Sequence, residues 1–371
     1  MSSKINEVRY AVVGLGHIAQ AAVLPAFENA GKSSRLSALV SGDRKKLGKL
    51  GNEYGVSGQF TYDEYDALLA SGDVDAVYIA LPNSLHADYA VRAAKAGVHI
   101  LCEKPLAPTS AECRRMVRAA ETHDVRLMTA YRLHFEKANL EAVEAISSGK
   151  IGEPRIFTSV FTMNVREPND IRLRRKFGGG PLADIGIYCL NAARYLFRSE
   201  PLAVSALAAS SDDPRFVEVP EMVAVTLQFP GSRLASFTAS FGAASTGTYR
   251  VIGTRGDLYL DPAYGYGLEL KRRLTINGRA RETTYPRRDQ FAAELTHFSG
   301  HLLARTLPGP SGREGLIDVL VMEAIEKSIL ANGRSIRLSL PVPESRPDLS
   351  QEIRRPTRAP GPSPPRRRSR R

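Results

Sequence analysis

Tyr10-Ala11-Val12-Val13-Gly14-Leu15-Gly16-His17-Ile18-Ala19 runs an apolar strand directly into a turn punctuated by glycine. A dinucleotide suits that order. The first glycine permits the tight turn, the second lets the backbone approach a pyrophosphate, and a small third residue seats the next helix on the strand. Gly14, Gly16 and Ala19 fill those places, and His17 and Ile18 lead into a helix whose free N–H groups face the phosphates. A Gly-x-Gly match alone is weak; the strand immediately before it, so early in the chain, gives it weight.

Beyond the turn, short apolar runs alternate with helical segments. Strands are expected over 34–40, 74–80, 99–102 and 125–129, with a short one at Phe60-Thr61; helices are expected over 21–30, 43–54, 64–70, 87–96 and 109–123. That alternation specifies a parallel sheet covered on both faces. The second half changes period. After a helix over 139–148, strands are expected over 155–164, 204–209, 222–229, 234–242, 248–253 and 257–260, many joined by turns such as Pro230-Gly231-Ser232. Helices over 290–304 and 315–331 follow, then an extended segment ending at Leu340. The fold class is therefore α/β: an N-terminal Rossmann parallel sheet plus a C-terminal α/β domain with a large, mostly antiparallel open sheet. The expected units are a dinucleotide-binding domain over 1–132, a substrate-binding and oligomerisation domain over 133–340, and a Pro/Arg-rich disordered tail over 341–371. One face of the open sheet needs a cover, from helices, a second subunit or both.

Composition narrows the class. With 371 residues, 43% of them hydrophobic, the chain can bury two moderate cores. It contains no run of 18 apolar residues, and its first residues lack the apolar stretch of a secretory signal. Cys102, Cys113 and Cys189 have neither the number nor the spacing of a disulfide framework or a Cys-rich zinc site, so a cytoplasmic protein is expected. The net charge of +12 is uneven, because residues 351–371 hold eight arginines against one glutamate. Such a tail reads as a solubilising appendage or as a weak, salt-sensitive contact to polyanions.

Four segments carry candidate chemistry. After the second strand comes Ser41-Gly42-Asp43-Arg44-Lys45. A 2′-phosphate needs hydroxyl and basic donors and disfavours a facing carboxylate, so Ser41, Arg44 and Lys45 favour NADP, while Asp43, the competing signal for NAD, reads as the N-cap of the next helix. Leu81-Pro82-Asn83-Ser84-Leu85-His86 sits at the carboxyl edge of the sheet, where Asn83 and His86 line the nicotinamide side or Asn83 and Ser84 simply cap a helix. Glu103-Lys104-Pro105 occupies the next strand end, with Lys104 either donating to a substrate oxygen or forming a surface pair. Finally, 178–191 places Asp184 and Tyr188 one helical turn apart, as acid/base chemistry or as a cap and a core edge. A phenol acting as acid/base needs a nearby cation, and Lys104 is the supplier.

In this order the four elements resemble the glucose-fructose oxidoreductase, inositol dehydrogenase and rhizopine catabolism (Gfo/Idh/MocA) family of sugar and polyol dehydrogenases, over most of residues 8–340. The marks are Gly14 to Ala19, Glu103-Lys104-Pro105, and Gly178 through Asp184, Gly186 and Tyr188. Many members carry histidine where Tyr188 stands; with tyrosine there, the chain is most similar to the glucose-fructose oxidoreductase-like aldose oxidoreductases. Tyr131-Arg132-Leu133-His134 and Asp261-Pro262 add to that likeness. The resemblance implies Lys104 as the lysine that orients substrate, Asp184 as a substrate-binding residue, Tyr188 as the proton-transfer residue, Pro105 in the cis form, Arg172 in the sugar pocket, and a homodimer or homotetramer built through the open sheet. It further implies oxidation of a cyclic aldose at C1 by NADP to an aldonolactone, with no metal, and leaves open a cycle in which retained NADPH reduces a second sugar. Against that cycle, the exported members carry a long N-terminal signal and an arm that helps retain the cofactor, and this sequence shows neither. Two alternatives stand beside this: an NAD(P)-dependent diol dehydrogenase or carbonyl reductase, and a dinucleotide-sensing regulatory protein whose basic tail contacts nucleic acid.

Overall fold

Val8–Val13 (β1), buried along nearly its whole length, lies inside a six-stranded parallel sheet. Ser34–Val40 (β2) and Gly58–Phe60 (β3) flank it on one side; Ala76–Ile79 (β4), His99–Glu103 (β5) and Leu127–Ala130 (β6) continue on the other. The strand order reverses between β1 and β4, which opens a crevice at their carboxyl ends. The computed structural model describes residues 7–354. Around the sheet run Leu24–Asn29 (α1), Arg44–Tyr54 (α2), Tyr65–Ala70 (α3), His86–Lys95 (α4) and Ser110–Thr122 (α5). The helix after the glycine turn is not one α-helix: Ala19–Val23 forms a π-turn before α1. Asp43 caps α2, its carboxylate accepting from Lys46 N at 3.0 Å, and Thr109 with Glu112 forms a capping box on α5.

Lys137–Ser147 (α6) leads into a nine-stranded sheet. Its strands are Pro154–Thr162 (β7), Ala203–Ala209 (β8), Met222–Phe229 (β9), Arg233–Ser240 (β10), Thr246–Gly253 (β11), Gly256–Leu260 (β12), Leu270–Ile276 (β13), Arg279–Tyr285 (β14) and Ile336–Arg337 (β15). Their order is β14-β13-β12-β11-β7-β10-β9-β8-β15, antiparallel throughout except for the parallel pair β7–β10. Alternation decides the faces. Phe157, Val225, Leu227, Phe237 and Val251 point inward to Leu190 and Phe197 of Ile187–Phe197 (α7), while Ile156, Leu207 and Leu234 stay 44%, 60% and 52% exposed on the other side.

Three features depart from the sequence reading. The hairpin β13–β14 was not expected at all. Gln290–Ala304 (α8) and Gly312–Leu330 (α9), placed by the sequence in the second unit, return to the parallel sheet: Phe291, Leu295 and Phe298 pack with Tyr10 and Val12, and Ser299 Oγ lies 2.7 Å from Tyr10 Oη. α9 is shared, with Leu316 and Val319 in the core of the parallel sheet and Val321 and Ile325 in the other core. Residues 341–354 are also not free tail, since Arg346 bonds Glu200 at 2.6 Å and the carbonyl of Arg194 at 2.9 Å. The remaining tail, 355–371, with its expected disorder and polyanion contact, lies outside the described residues. Among the described residues, no helix is long and apolar enough to cross a membrane.

Candidate active site

The crevice begins at Gly14, where φ is +94° and an added Cβ would stand 2.6 Å from the carbonyl oxygen of Ala80. Only glycine lets β1 turn this close to the end of β4. Gly16 is different: a Cβ there would meet nothing within 4 Å, so the protein's own packing does not require glycine, whereas a cradle for a phosphate chain does. His17 and Gly16 are exposed on the turn, Ile18 is half-buried, and Ala19 is fully buried beneath it. The donor set at β2 fits a phosphorylated ribose. Ser41 is buried beside exposed Gly42, Arg44 and Lys45, and the Asp43 carboxylate is turned into the N-terminus of α2.

Leu81, Pro82 and Asn83 follow β4 into the crevice. Asn83 Nδ2 donates to the carbonyl of Gly178 at 2.8 Å, tying the parallel-sheet half to the loop that carries Asp184. His86 stands behind the lining and not on it: fully buried, its ring spans the carbonyls of Leu81 (2.9 Å) and Pro105 (3.0 Å), and burial lowers its pKa. That places it as a brace between two turns, in contrast to the nicotinamide-lining position expected of it. The Lys104-Pro105 peptide is cis. Glu103 is buried, accepting from Tyr78 Oη at 2.9 Å and from the Lys104 backbone N at 3.2 Å, and burial pushes its carboxyl above the usual range.

Lys104, Asp184, Tyr188 and Arg172 are brought together. A π-turn over Leu182–Gly186 starts the helix that becomes α7, and a Cβ on Gly186 would touch Ala239 Cβ at 3.3 Å, so this turn rests directly on β10. Lys104 Nζ donates to the backbone carbonyl of Asp184 at 2.7 Å and to its Oδ1 at 3.2 Å; Arg172 Nε donates to Oδ2 at 2.9 Å. Asp170, not singled out in the sequence, holds the far side of Arg172 at 3.1 Å. For Asp184, burial would push the carboxyl up, but the Lys104 ammonium and the Arg172 guanidinium outweigh it and hold the pKa low. For Lys104, burial pulls the other way and is outweighed by Tyr188, Asp184 and Glu103, so its pKa is raised. Lys104 Nζ sits 4.8 Å from the centre of the Tyr188 ring, which leans on Phe161 and Tyr264. Among the described residues no hydrogen bond engages the Tyr188 hydroxyl, which leaves it for a ligand. Nor do these residues contain a group of three His, Cys, Asp or Glu able to hold a metal.

Residues 8–131 match the oxidoreductase family with an NAD-binding Rossmann fold, and residues 139–259 match the GFO/IDH/MocA C-terminal domain. The D-xylose 1-dehydrogenase (NADP+) of Haloarcula marismortui is 36% identical over 327 residues, 86% of this chain and 90% of that protein. The aldose-aldose oxidoreductase of Caulobacter crescentus, solved with glycerol, superposes with a TM-score of 0.86 at 37% identity, covering 90% of this chain and 100% of that one. A 3-ketoreductase of Actinomadura kijaniata, solved with NADP and TDP-benzene, gives 0.79 at 28% identity, covering 87% and 98%.

Proposed function

From the premise that this chain belongs to the Gfo/Idh/MocA oxidoreductase family and is an NADP-dependent oxidoreductase of sugar-like substrates, we propose that it oxidises C1 of a cyclic aldose to an aldonolactone. NADP, when bound, supplies the hydride acceptor. Gly14, Gly16 and Ala19 form its cradle, Ser41, Arg44 and Lys45 receive the 2′-phosphate, and Leu81, Pro82 and the cis turn at Pro105 wall the nicotinamide end. The observation that carries the reading is the convergence, from distant parts of the chain, of Lys104 Nζ on the Tyr188 ring at 4.8 Å. Tyr188 takes the proton of the anomeric hydroxyl. Lys104 donates to the same oxygen and favours the tyrosinate form of Tyr188 that accepts the proton, while the hydride of C1 goes to the nicotinamide of bound NADP. Asp184 and Arg172 hold ring hydroxyls, the carboxylate accepting and the guanidinium donating.

A panel of aldoses assayed for NADPH formation tests this, with Tyr188→Phe expected to lose at least about a hundredfold in kcat. Full turnover by that variant on the best sugar removes the assignment. The ketoreductase relative favours a second reading, the reverse reduction of a sugar ketone by the same groups. We also infer that the uncovered face of the nine-stranded sheet pairs with a second copy of the chain.

A further inference from the structure

Arg132 is 4% exposed, yet among the described residues no carboxylate pairs with it. One guanidinium nitrogen donates to Gln290 Oε1 and another to the carbonyl of Tyr264 at 2.7 Å, both neutral acceptors. Its guanidinium carbon stands 4.9 Å from the centre of the Tyr188 ring, 5.3 Å from that of Tyr266 and 5.9 Å from that of Phe291. Tyr188 thus faces two cations, and they differ. Lys104 is hydrogen-bonded to Asp184, whereas Arg132 has no carboxylate in contact and is felt by Glu103, Glu136 and Glu294 only at longer range.

The acids around this point do not cancel that charge by contact. Glu103, from β5, is engaged with Tyr78 and the Lys104 backbone. Glu294, from α8, is fully buried and accepts from Tyr78 Oη at 3.3 Å; burial first, then the charge of Glu103, pushes its carboxyl well above the usual range, against the pull of Arg132. Glu136 turns both oxygens to the N-terminus of α6. Asp184, on the turn that leads into α7, is held by Lys104 and Arg172.

We propose that Arg132 is a positioning residue for proton transfer, its guanidinium, with no carboxylate in contact, favouring the anionic form of the Tyr188 oxygen that accepts the sugar proton. This rests on Tyr188 being the proton-transfer residue.

Gln290→Glu separates this role from simple packing. It puts a carboxylate where Arg132 already donates, on the first turn of α8 where negative charge suits the helix N-terminus, and keeps the guanidinium in its aromatic box. If Arg132 serves packing alone, its tie is strengthened, the 3.2 Å bond from Gln290 Nε2 to the carbonyl of Gly265 is lost, and the ionisation of Tyr188 stays where it was. Under the proposal, the ultraviolet titration of tyrosinate attributable to Tyr188, taken as the difference between each protein and its Tyr188→Phe counterpart, rises by about one pH unit in Gln290→Glu. The pH midpoint of kcat for sugar oxidation rises with it while KM holds within about twofold. Arg132→Gln is expected to reproduce the shift and Arg132→Lys to reverse most of it, which carries the comparison should Gln290→Glu fail to fold. Unmoved midpoints in the folded charge-changing variants, with Tyr188→Phe inactive, overturn the role of Arg132 and leave Tyr188 standing. Full turnover by Tyr188→Phe overturns both.

Discussion

Asp184 shows how one carboxylate can organise a site and tie it to stability. Its oxygens are taken by Lys104 and Arg172, and its pKa is depressed below the ordinary 3.8. A depressed acid stabilises the fold above its unfolded pKa, and that contribution is lost as pH falls through the folded value. Asp184→Asn leaves two cations facing a neutral amide, so it is expected to cost about 2 kcal/mol at neutral pH. The gap to wild type starts to narrow as pH falls past the ordinary 3.8 and closes only below the depressed folded value, where the native carboxylate is itself protonated. Urea unfolding at neutral pH and at a series of points falling below about pH 4 checks this, and a gap that does not narrow with acid would place the cost in packing. The residue scale was also where the sequence was most generous. Asp184 and Tyr188 share a helical face by spacing alone, and Lys104 is marked by its strand-end position. Arg132 and Glu294 were not legible as site residues, since their meaning comes from interactions across 56 and 191 positions of chain, to Tyr188 and Glu103, and Asp170 enters the site only through Arg172, whose own partner Asp184 lies 12 positions on.

The turn after β1 separates two reasons for glycine, and one experiment can tell them apart. Gly14→Ala must relieve a 2.6 Å approach to the Ala80 carbonyl at a positive φ, so a loss of roughly 2–3 kcal/mol of stability is expected. Gly16→Ala meets no atom within 4 Å and is expected to melt within about 0.5 kcal/mol of wild type, while its affinity for NADP falls at least about tenfold. Thermal melts of the free protein beside fluorescence titration with NADP read both. Equal effects on the two properties would deny Gly16 its place against the phosphates. Periodicity revealed most of the other elements because each buries one face or both. The hairpin β13–β14 was hidden because it does neither well: Lys271, Arg272, Arg273, Arg279, Arg281 and Glu282 crowd an edge strand pair that is largely exposed. Its one legible sign was Asn277-Gly278, where φ values of +49° and +79° match the two-residue turn that this dipeptide favours. The return of α8 and α9 to the first sheet could not be read, since an amphipathic helix records that it has a partner and not which one.

At the scale of the molecule, the register of the second sheet shows what its uncovered face offers. Thr248, Val160, Thr238, Ala224 and Leu207 stand opposite one another across five strands; Arg250, Thr158, Ser236, Thr226 and Ser205 form the next row; Ile252, Ile156, Leu234 and Gln228 form a third. Two rows are largely apolar, the middle one is mostly hydroxyl, and the arginine in it is already paired with Asp257 at 2.9 Å. Isolated sheets seldom leave such a surface to water, and the proposed self-complementary pairing of two copies would cover it without using the crevice, whose Tyr188 packs on inward-facing Phe161. Ile156 and Leu234 are direct neighbours in register, so replacing both by aspartate sets two charges side by side on the two middle strands of the face. The double variant is expected to sediment with half the wild-type mass or less, to lose about 1 kcal/mol or less as an isolated fold, and to bind NADP unchanged. An unaltered mass in analytical ultracentrifugation would show that this face is not where copies meet.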